Sequence, residues 1–272
     1  MMEVINFFLP PFVMCLVLVG IHCYLGLHVL QRGVIFVDLS LAQVAGLGST
    51  VALLFEIEHH STGSYFISLA HTFAVAALFA WARKFEEKIS QEVLIGIVYA
   101  LASASVVLVV NNLSHGAEHI KEILVGHILW VTWADVIKTA AIYSVVAGVH
   151  YYFRKELLGA SFAGRSSKNA KWDFLFFALF GVVITSSVGV AGILLVFSFL
   201  IVPALVSTFF QSGIRGRLIF GWAFGFVISI LGMVMSYLGD WPAGAVLVVC
   251  FTVVPLLLLP FMGRLQVRVG GY

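Results

Sequence analysis

One carboxylate of this sequence lies inside an apolar stretch, where a charge is costly. Asp38 belongs to the segment RGVIFVDLSLAQVAGLG, residues 32–48. At about 1.5 Å per helical residue it would lie roughly 9 Å beyond Arg32, inside a bilayer core about 30 Å thick. Ionisable side chains inside a membrane usually mark the path of an ion or proton. Asp38 is therefore a candidate functional residue, although an Asp that caps a helix beginning at Leu39 also explains the pattern.

Two histidines are predicted to lie near the middle of the membrane. His22 precedes Arg32 by ten residues, and His71 precedes Arg83 by twelve. Imidazole nitrogen and carboxylate oxygen are ligands that zinc and manganese take in proteins. His22 and His71 could therefore line a metal path with Asp38. The alternative for each histidine is a hydrogen bond that joins two helices of the bundle.

Acidic and histidine side chains also cluster in two loops, EIEHH and SHGAEH. These loops are expected at the outer face of the membrane, where carboxylates and imidazoles could attract a divalent cation. Loops of this composition are more often simply solvated. The residues concerned are Glu56, Glu58, His59, His60, His115, Glu118 and His119.

The composition excludes a soluble protein and gives no sign of nucleic-acid binding. The chain has 272 residues, of which 61% are hydrophobic and 10% are charged, and its mean hydropathy is +1.08. That charge content is too small to cover a soluble globule of this size. The net charge of +2 is also too small to indicate nucleic acid as a partner. Membrane lipid is therefore the expected surrounding.

Apolar windows of spanning length predict an all-α polytopic membrane protein with about nine transmembrane helices. A further apolar piece, EILVGHILWV at residues 122–131, is too short to cross and is predicted to be a short re-entrant or interfacial segment. The predicted crossings are approximately Val4–Leu30, Val34–Phe55, Tyr65–Trp81, Val93–Val110, Asp135–Phe153, Phe174–Ser187, Val188–Phe210, Leu218–Leu238 and Ala243–Met262.

The basic residues predict the orientation of the chain. Along the predicted crossings, all but Lys121 and Lys138 fall on one side, which the positive-inside rule assigns to the cytoplasm. The N-terminus is then outside and the C-terminus inside. The longest loop, residues 154–171, is too short for another folded unit. Residues 1–272 are therefore predicted to form a single transmembrane domain.

Several segments, in this order, resemble permease subunits of the zinc, manganese and iron type of ABC importers. They are VDLSLAQVAGLG, QEVLIGIVYALASA, EILVGHILWVTWADV, GVAGILLVFSFLIVPALVSTFF and MSYLGDWPAGAVLVV. The resemblance implies a homodimeric permease in the cell membrane of a prokaryote, with cytoplasmic ATPase subunits and an extracytoplasmic metal-binding protein as partners. It also implies a divalent metal ion as the substrate, with no permanently bound cofactor.

The second crossing departs from the pattern of that family, which is Gly-Asp-x-x-x-His. Here the residues are Val37, Asp38 and, at the position of the histidine, Ala42. The family's ligand is therefore carried over only at Asp38, and a bound ion would need donors from other helices. Zinc is the preferred ion because imidazole is a good zinc ligand, and manganese or iron stays open.

The segment GASFAGRS, residues 159–166, comes near to a phosphate-binding loop but has Arg165 where the lysine belongs. The chain is therefore predicted to be a transport subunit and not an enzyme. Residues 157–167 are instead expected to form a short helix that docks on a separate ATPase, through Leu157, Leu158, Phe162 and Arg165. Small residues around Gly189 and Gly192 are expected at the interface between two copies of the chain.

Two other functions remain open on the sequence alone. One is a proton-coupled secondary transporter, in which Asp38 and the histidines would relay protons without ATP. The other is a structural membrane subunit that has no substrate path.

Overall fold

The computed structural model describes residues 2–58, 61–86, 88–111, 113, 116–162 and 170–262. These residues form an all-α bundle, as the apolar windows predict. Its helices are α1 (Met2–Arg32), α2 (Val37–Leu54), α3 (Thr62–Ala82), α4 (Gln91–Val110), α5 (Gly116–Val125), α6 (Trp133–Tyr152), α7 (Arg154–Phe162), α8 (Ala170–Phe210), α9 (Ile214–Gly239) and α10 (Ala243–Met262), with short 3₁₀ turns at Arg83–Phe85 and Ile128–Trp130.

Six of these helices are long and apolar enough to cross a membrane, namely α1, α2, α3, α4, α8 and α9. Because no water is available in the hydrocarbon to bond exposed amides, a helix that satisfies its own backbone is the favoured way to cross. The helix α10 contains a further apolar stretch, Ala243–Leu258. The helix α6 has 20 residues, which is about 30 Å of helix and enough for a crossing.

The longest helix, α8, folds back on itself at Gly192, where its backbone leaves the helical conformation. In the arm before the bend, the Phe176 ring lies 5.6 Å from the His28 ring of α1. In the arm after the bend, Leu200 packs against Gly26 of α1. A Cβ atom on Gly26 would lie only 2.0 Å from the carbonyl oxygen of Leu200. In a straight helix, residues 176 and 200 would be about 36 Å apart. Since both contact neighbouring turns of α1, α8 crosses the membrane twice.

The bend depends on two glycines that face each other. Gly192 has φ +73° and ψ 164°, and Gly126, which follows α5, has φ +68°. A Cβ on Gly192 would lie 2.4 Å from the Gly126 amide nitrogen, and a Cβ on Gly126 would lie 2.2 Å from the carbonyl carbon of Ala191. The amide of His127 donates to the carbonyl oxygen of Val190 at 3.0 Å. The segment after α5 is therefore clamped onto the bend, backbone against backbone.

When α8 is counted twice and α6 and α10 are counted as crossings, the described residues give about nine membrane passes, the approximate number predicted. The boundary between the sixth and seventh differs from the sequence prediction, because the chain turns at Gly192 and not after Ser187. The short apolar piece is confirmed as a non-crossing element, although its helix begins earlier, at Gly116.

Gly192 does not form the small-residue dimer face that was predicted for it. It is buried inside this chain, against Gly126 and the end of α5. Gly189 is exposed, and a Cβ there would meet nothing within 4 Å. Only Gly189 of the pair could therefore meet another copy of the chain.

The bundle has two chemically different ends. The basic end carries the turns that contain Arg32 and Arg83, together with α7 and the start of α8. The acidic end carries the connection from α2 to α3, the helix α5, the start of α6 and the bend at Gly192.

We predict that Gly192→Ala destabilises the protein, since a side chain would be strained at this φ and ψ and would collide with Gly126. Strain of this kind costs about 1–3 kcal/mol before the collision is counted. Thermal unfolding of the purified protein in detergent measures the effect. Gly189→Ala, three residues earlier in the same helix and with open space around it, is the matched control and should leave the midpoint nearly unchanged. Equal midpoints for the two variants would contradict the role of the bend.

Candidate functional site

Asp38 lies in the first turn of α2 and is 1% exposed. Neither carboxylate oxygen has a hydrogen-bond partner of ordinary geometry among the described residues. The helix begins at Val37, its cap residue is Phe36, and no side chain makes a capping hydrogen bond there. Helix capping therefore does not account for Asp38, and its buried charge needs another explanation.

Asp38 begins a stripe along one face of α2. The residues at spacings of four, seven and eleven from it are Ala42, Ala45 and Ser49. Each of these positions lies within about 40° of Asp38 around a helix of 100° per residue. Ala42, at the position of the family's histidine, is 1% exposed and presents only a methyl group. Above it, Ala45 and Ser49 line a cavity.

This cavity of about 160 Å³ lies at the acidic end, between α2, α3, α5, α6 and α8. A water molecule occupies about 10–15 Å³ on the same measure, so several fit. The wall is rich in hydroxyl groups and contains no imidazole or thiol among the described residues. Its oxygen-bearing side chains are Ser49, Ser61, Ser64, Tyr65, Ser68, Glu122, Asp135, Thr139, Thr185 and Ser186.

Three charged side chains line the cavity, and two of them are carboxylates. Glu122 accepts a hydrogen bond from Nε2 of His127 at 2.6 Å. Asp135 forms a capping box with Thr132, as expected for an Asp at this helix start. The third, Lys138, has its ammonium 6.0 Å from the centre of the Tyr65 ring. The cavity is therefore suited to a small cation that keeps its water.

His22 is fully buried, and it joins three helices through hydrogen bonds. Its Nδ1 donates to the carbonyl of Leu18 at 2.8 Å. Its Nε2 lies 3.1 Å from the hydroxyl of Ser187, which is 2.5 Å from the hydroxyl of Tyr143. This arrangement matches the helix-bridging alternative considered for this histidine.

His71 is half-buried, and its Nδ1 donates to the carbonyl of Ile67 at 2.8 Å. That bond leaves the Nε2 of the neutral ring as an acceptor, the form that binds metals. Among the described residues, however, no three His, Cys, Asp or Glu side chains are grouped so that they could hold a metal. The structure therefore does not bring Asp38, His22 and His71 together, and their place on one path stays a prediction.

The candidate residues of the outer loops fall at the acidic end. Glu56 and Glu58 lie in the connection after α2, and Glu118 and His119 lie on α5. Nε2 of His119 is 3.1 Å from the hydroxyl of Thr50. The predicted residues His59, His60 and His115 lie outside the described residues.

Glu122 lies at the acidic end but was not among the candidate site residues predicted from the sequence. It lies between two histidines, 3.9 Å from Nδ1 of His119 and bonded to His127. It also lines the cavity. The segment HIKEILVGH, residues 119–127, contains both histidines. Only the turn at Gly126 brings His127 back to the carboxylate of Glu122.

A buried ion cluster lies at the basic end. Asp173 accepts hydrogen bonds from Arg32 at 2.9 Å and from Arg83, and its side chain is 1% exposed. Arg32 also donates to the hydroxyl of Ser161 on α7, which is 2.8 Å from Nδ1 of His28. The Asp173 carboxylate is therefore held by two arginines, one at the end of α1 and one in the turn after α3.

The short helix predicted for residues 157–167 overlaps α7, which covers residues 154–162, and residues 163–167 lie outside the described residues. The apolar residues of α7 differ in exposure. Leu157 is fully buried within the chain, so it is not available to a partner. Leu158 and Phe162 are half-buried, and the Phe162 ring lies 5.5 Å from that of His28. Arg165 lies outside the described residues.

Comparison with known proteins identifies the family. The sequence model of the ABC 3 transport family matches residues 5–262. The chain belongs to the ABC 3 transport family. It is 27% identical over 196 residues, 70% of each chain, to the manganese transport system membrane protein MntC of Listeria monocytogenes. It is 23% identical over 234 residues to the probable iron transport system membrane protein of Haemophilus influenzae, covering 84% of this chain and 80% of that one.

The fold is shared with a solved structure, PsaBC from Streptococcus pneumoniae in complex with Fab. The TM-score is 0.75 at 19% identity, over 92% of this chain and 90% of the other. The resemblance inferred from ordered motifs is thus confirmed at the level of the family. As a member of the ABC 3 transport family, the chain is a multi-pass membrane protein of a metal transport family.

We predict that Asp173→Asn destabilises this member of the ABC 3 transport family by about 3–5 kcal/mol, because two buried arginines would lose their common counter-charge. Chemical unfolding of the purified protein in detergent measures this loss. Asp240→Asn is the control, since Asp240 is exposed in a left-handed turn with φ 51°, where Asn is equally favoured. An unfolding free energy of Asp173→Asn that matches the control would show that the cluster adds nothing to stability.

Proposed function

We propose that this chain is the membrane subunit that carries a divalent metal ion into the cytoplasm, driven by a separate ATPase. One observation supports this above the others. An oxygen-lined cavity at the acidic end lies on the same stripe of α2 as the buried carboxylate of Asp38. In a family of metal transport proteins, that arrangement suits an ion that enters hydrated and then reaches a charged ligand.

The proposed path begins at the acidic end, which faces the outside in this proposal. Glu118, Glu122 and the neighbouring histidines raise the local concentration of cations. The cavity then accepts the ion with its water, because hydroxyl and carboxylate oxygens can bond to the hydration shell. Ala42 separates the cavity from Asp38 in this conformation. Passage therefore requires the helices to move, as alternating access does.

The choice of metal follows from the donor atoms along this path. The expectation of zinc depended on imidazole donors, yet no histidine lines the cavity, and neither His22 nor His71 groups with Asp38 among the described residues. The cavity and Asp38 offer oxygen, which suits manganese better than zinc. We therefore propose manganese as the preferred ion, and iron or zinc as competitors that the same transporter admits less well.

The proposed partners are those of an importer. They are a cytoplasmic ATPase, an extracytoplasmic metal-binding protein, a second copy of this chain and the surrounding lipid of a prokaryotic cell membrane. In this assembly residues 1–272 act as one permease domain, with the N-terminus outside and the C-terminus inside. The basic end then faces the cytoplasm, in keeping with the positive-inside rule.

The alternative of a proton-coupled carrier would use the same buried groups without ATP. Membership of an ABC family does not favour it. Manganese uptake into vesicles that contain the purified chain alone and carry a proton gradient separates the two functions. Uptake under those conditions would replace the proposal by the carrier.

We predict that Asp38→Asn lowers the rate of manganese uptake by about 10- to 100-fold, the size of effect expected for loss of a metal-binding group. Uptake of radioactive manganese is measured in cells that express the chain with its ATPase and metal-binding protein. His22→Ala and His71→Ala are measured beside it, with expression of each variant checked. If all three variants transport at the wild-type rate and selectivity, the path lies elsewhere and these residues are structural.

We predict that Leu158→Asp uncouples ATP hydrolysis from transport. Leu158 is a half-exposed apolar residue on α7, and docking of a helix in a groove depends on a few such anchors. The ATPase activity of the purified complex is measured with and without the loaded metal-binding protein. Leu158→Met keeps the apolar surface and serves as the control. Normal, transport-coupled hydrolysis by Leu158→Asp would remove α7 from the coupling interface.

A further inference from the structure

Two carboxylates from different helices approach each other at the basic end. Asp38 is in the first turn of α2, and Glu92 is in the first turn of α4. The amide of Phe36, two residues before Asp38, donates to Oε1 of Glu92 at 3.2 Å. The side chain of Glu92 therefore reaches the start of α2, the helix that carries Asp38 in its first turn.

Three of the four carboxylate oxygens of this pair lack hydrogen-bond partners of ordinary geometry in the described part of the chain. Both oxygens of Asp38 and Oε2 of Glu92 are buried and accept no hydrogen bond of ordinary geometry from the residues that the structure describes. Asp173, at the same end and equally buried, shows the usual solution, because it is held by two arginines. No described cation plays that part for Asp38 or Glu92. Two neighbouring carboxylates without a counter-charge are the arrangement that a bound cation stabilises.

We propose that Asp38 and Glu92 together bind the divalent cation, as the last site before its release. The proposal rests on the function proposed above and adds a ligand to it. On α2 the residue one turn after Asp38 is Ala42, which has no donor atom. Glu92 would supply from α4 the second ligand that α2 does not provide.

The donor atoms define the class of ion. Besides the two carboxylates, the first turns of α2 contain two more buried oxygens without a partner among the described residues, Oγ of Ser40 and Oε1 of Gln43. Oxygen donors suit hard divalent cations such as manganese and magnesium, whereas zinc takes nitrogen and sulfur readily. The site is therefore one for a hard, oxygen-preferring divalent cation.

The two ligands differ in exposure, which suits a site of release. Asp38 is almost completely buried, whereas Glu92 is half-buried and closer to water. Water can replace Glu92 as a ligand before it replaces Asp38. Because the ligands belong to different helices, a shift of α4 relative to α2 would open the site.

The first test is the binding of manganese to the purified full-length chain in detergent. The signal of free manganese in electron paramagnetic resonance falls as the ion binds, so a titration gives the affinity. Glu92→Gln should weaken binding by about 10- to 100-fold. Glu86→Gln is the matched control, since its carboxylate lies at the same end, beside Arg83. Wild-type affinity in Glu92→Gln would overturn the proposal.

The second test changes the selectivity of transport and does not depend on loss of folding. Glu92→His replaces an oxygen donor by a nitrogen donor, so the ratio of zinc to manganese uptake should rise by about tenfold or more. The assay uses cells that contain the complete transporter. A residue with only a structural role would lower the uptake of both ions alike, and that result would overturn the proposal.

The outcomes separate this proposal from the function on which it rests. If the wild type imports manganese and Asp38→Asn stops it, while both Glu92 variants keep the wild-type rate and selectivity, the pair is wrong and the function stands. If the wild type imports no metal, the proposed function fails. The titration with manganese alone still decides whether the two carboxylates bind a cation.

Discussion

The contact between Gly126 and Gly192 is the constraint on which the acidic end of this protein depends. At this point two backbones approach so closely that neither residue has room for a side chain. The contact turns α8 back through the membrane and fixes the end of α5 against the bend. Residues on both sides of it, Glu122 and Val188 among them, then line the cavity. The position of these lining residues therefore depends on the close backbone contact between Gly126 and Gly192.

Two buried carboxylates of this protein, Asp173 and Asp38, have opposite surroundings. At the basic end, Asp173 forms ion pairs with both Arg32 and Arg83 and connects α1, α8 and the turn after α3. Ser161 extends this network to α7, because its hydroxyl accepts a hydrogen bond from Arg32. A movement of α7 would therefore displace Arg32. Asp38 has no such partner among the described residues, although it is equally buried. The paired carboxylate of Asp173 stabilises the bundle, whereas the unpaired carboxylate of Asp38 is the one that we propose as a ligand of the transported ion.

Hydrogen bonding explains why the histidines contribute less to a metal site than their types suggest. His22 and His71 each donate Nδ1 to the carbonyl four residues earlier on their own helix. In a membrane that bond satisfies a polar group locally and orients the ring. The remaining nitrogen of His22 faces Ser187, so this ring connects α1 with α8. Oxygen donors are left as the common feature of the cavity and of the start of α2.

The sequence by itself determined the membrane class, the all-α fold, the approximate number of passes and the family. Hydrophobic length and the order of motifs carry that information locally along the chain. It also singled out Asp38, because a charge in an apolar run is visible without a fold. Only the tertiary structure decided that α8 turns at Gly192, that Asp173 meets two arginines and that Glu92 reaches the start of α2. Those contacts join residues distant in sequence, and no local pattern of spacing encodes which helices become neighbours.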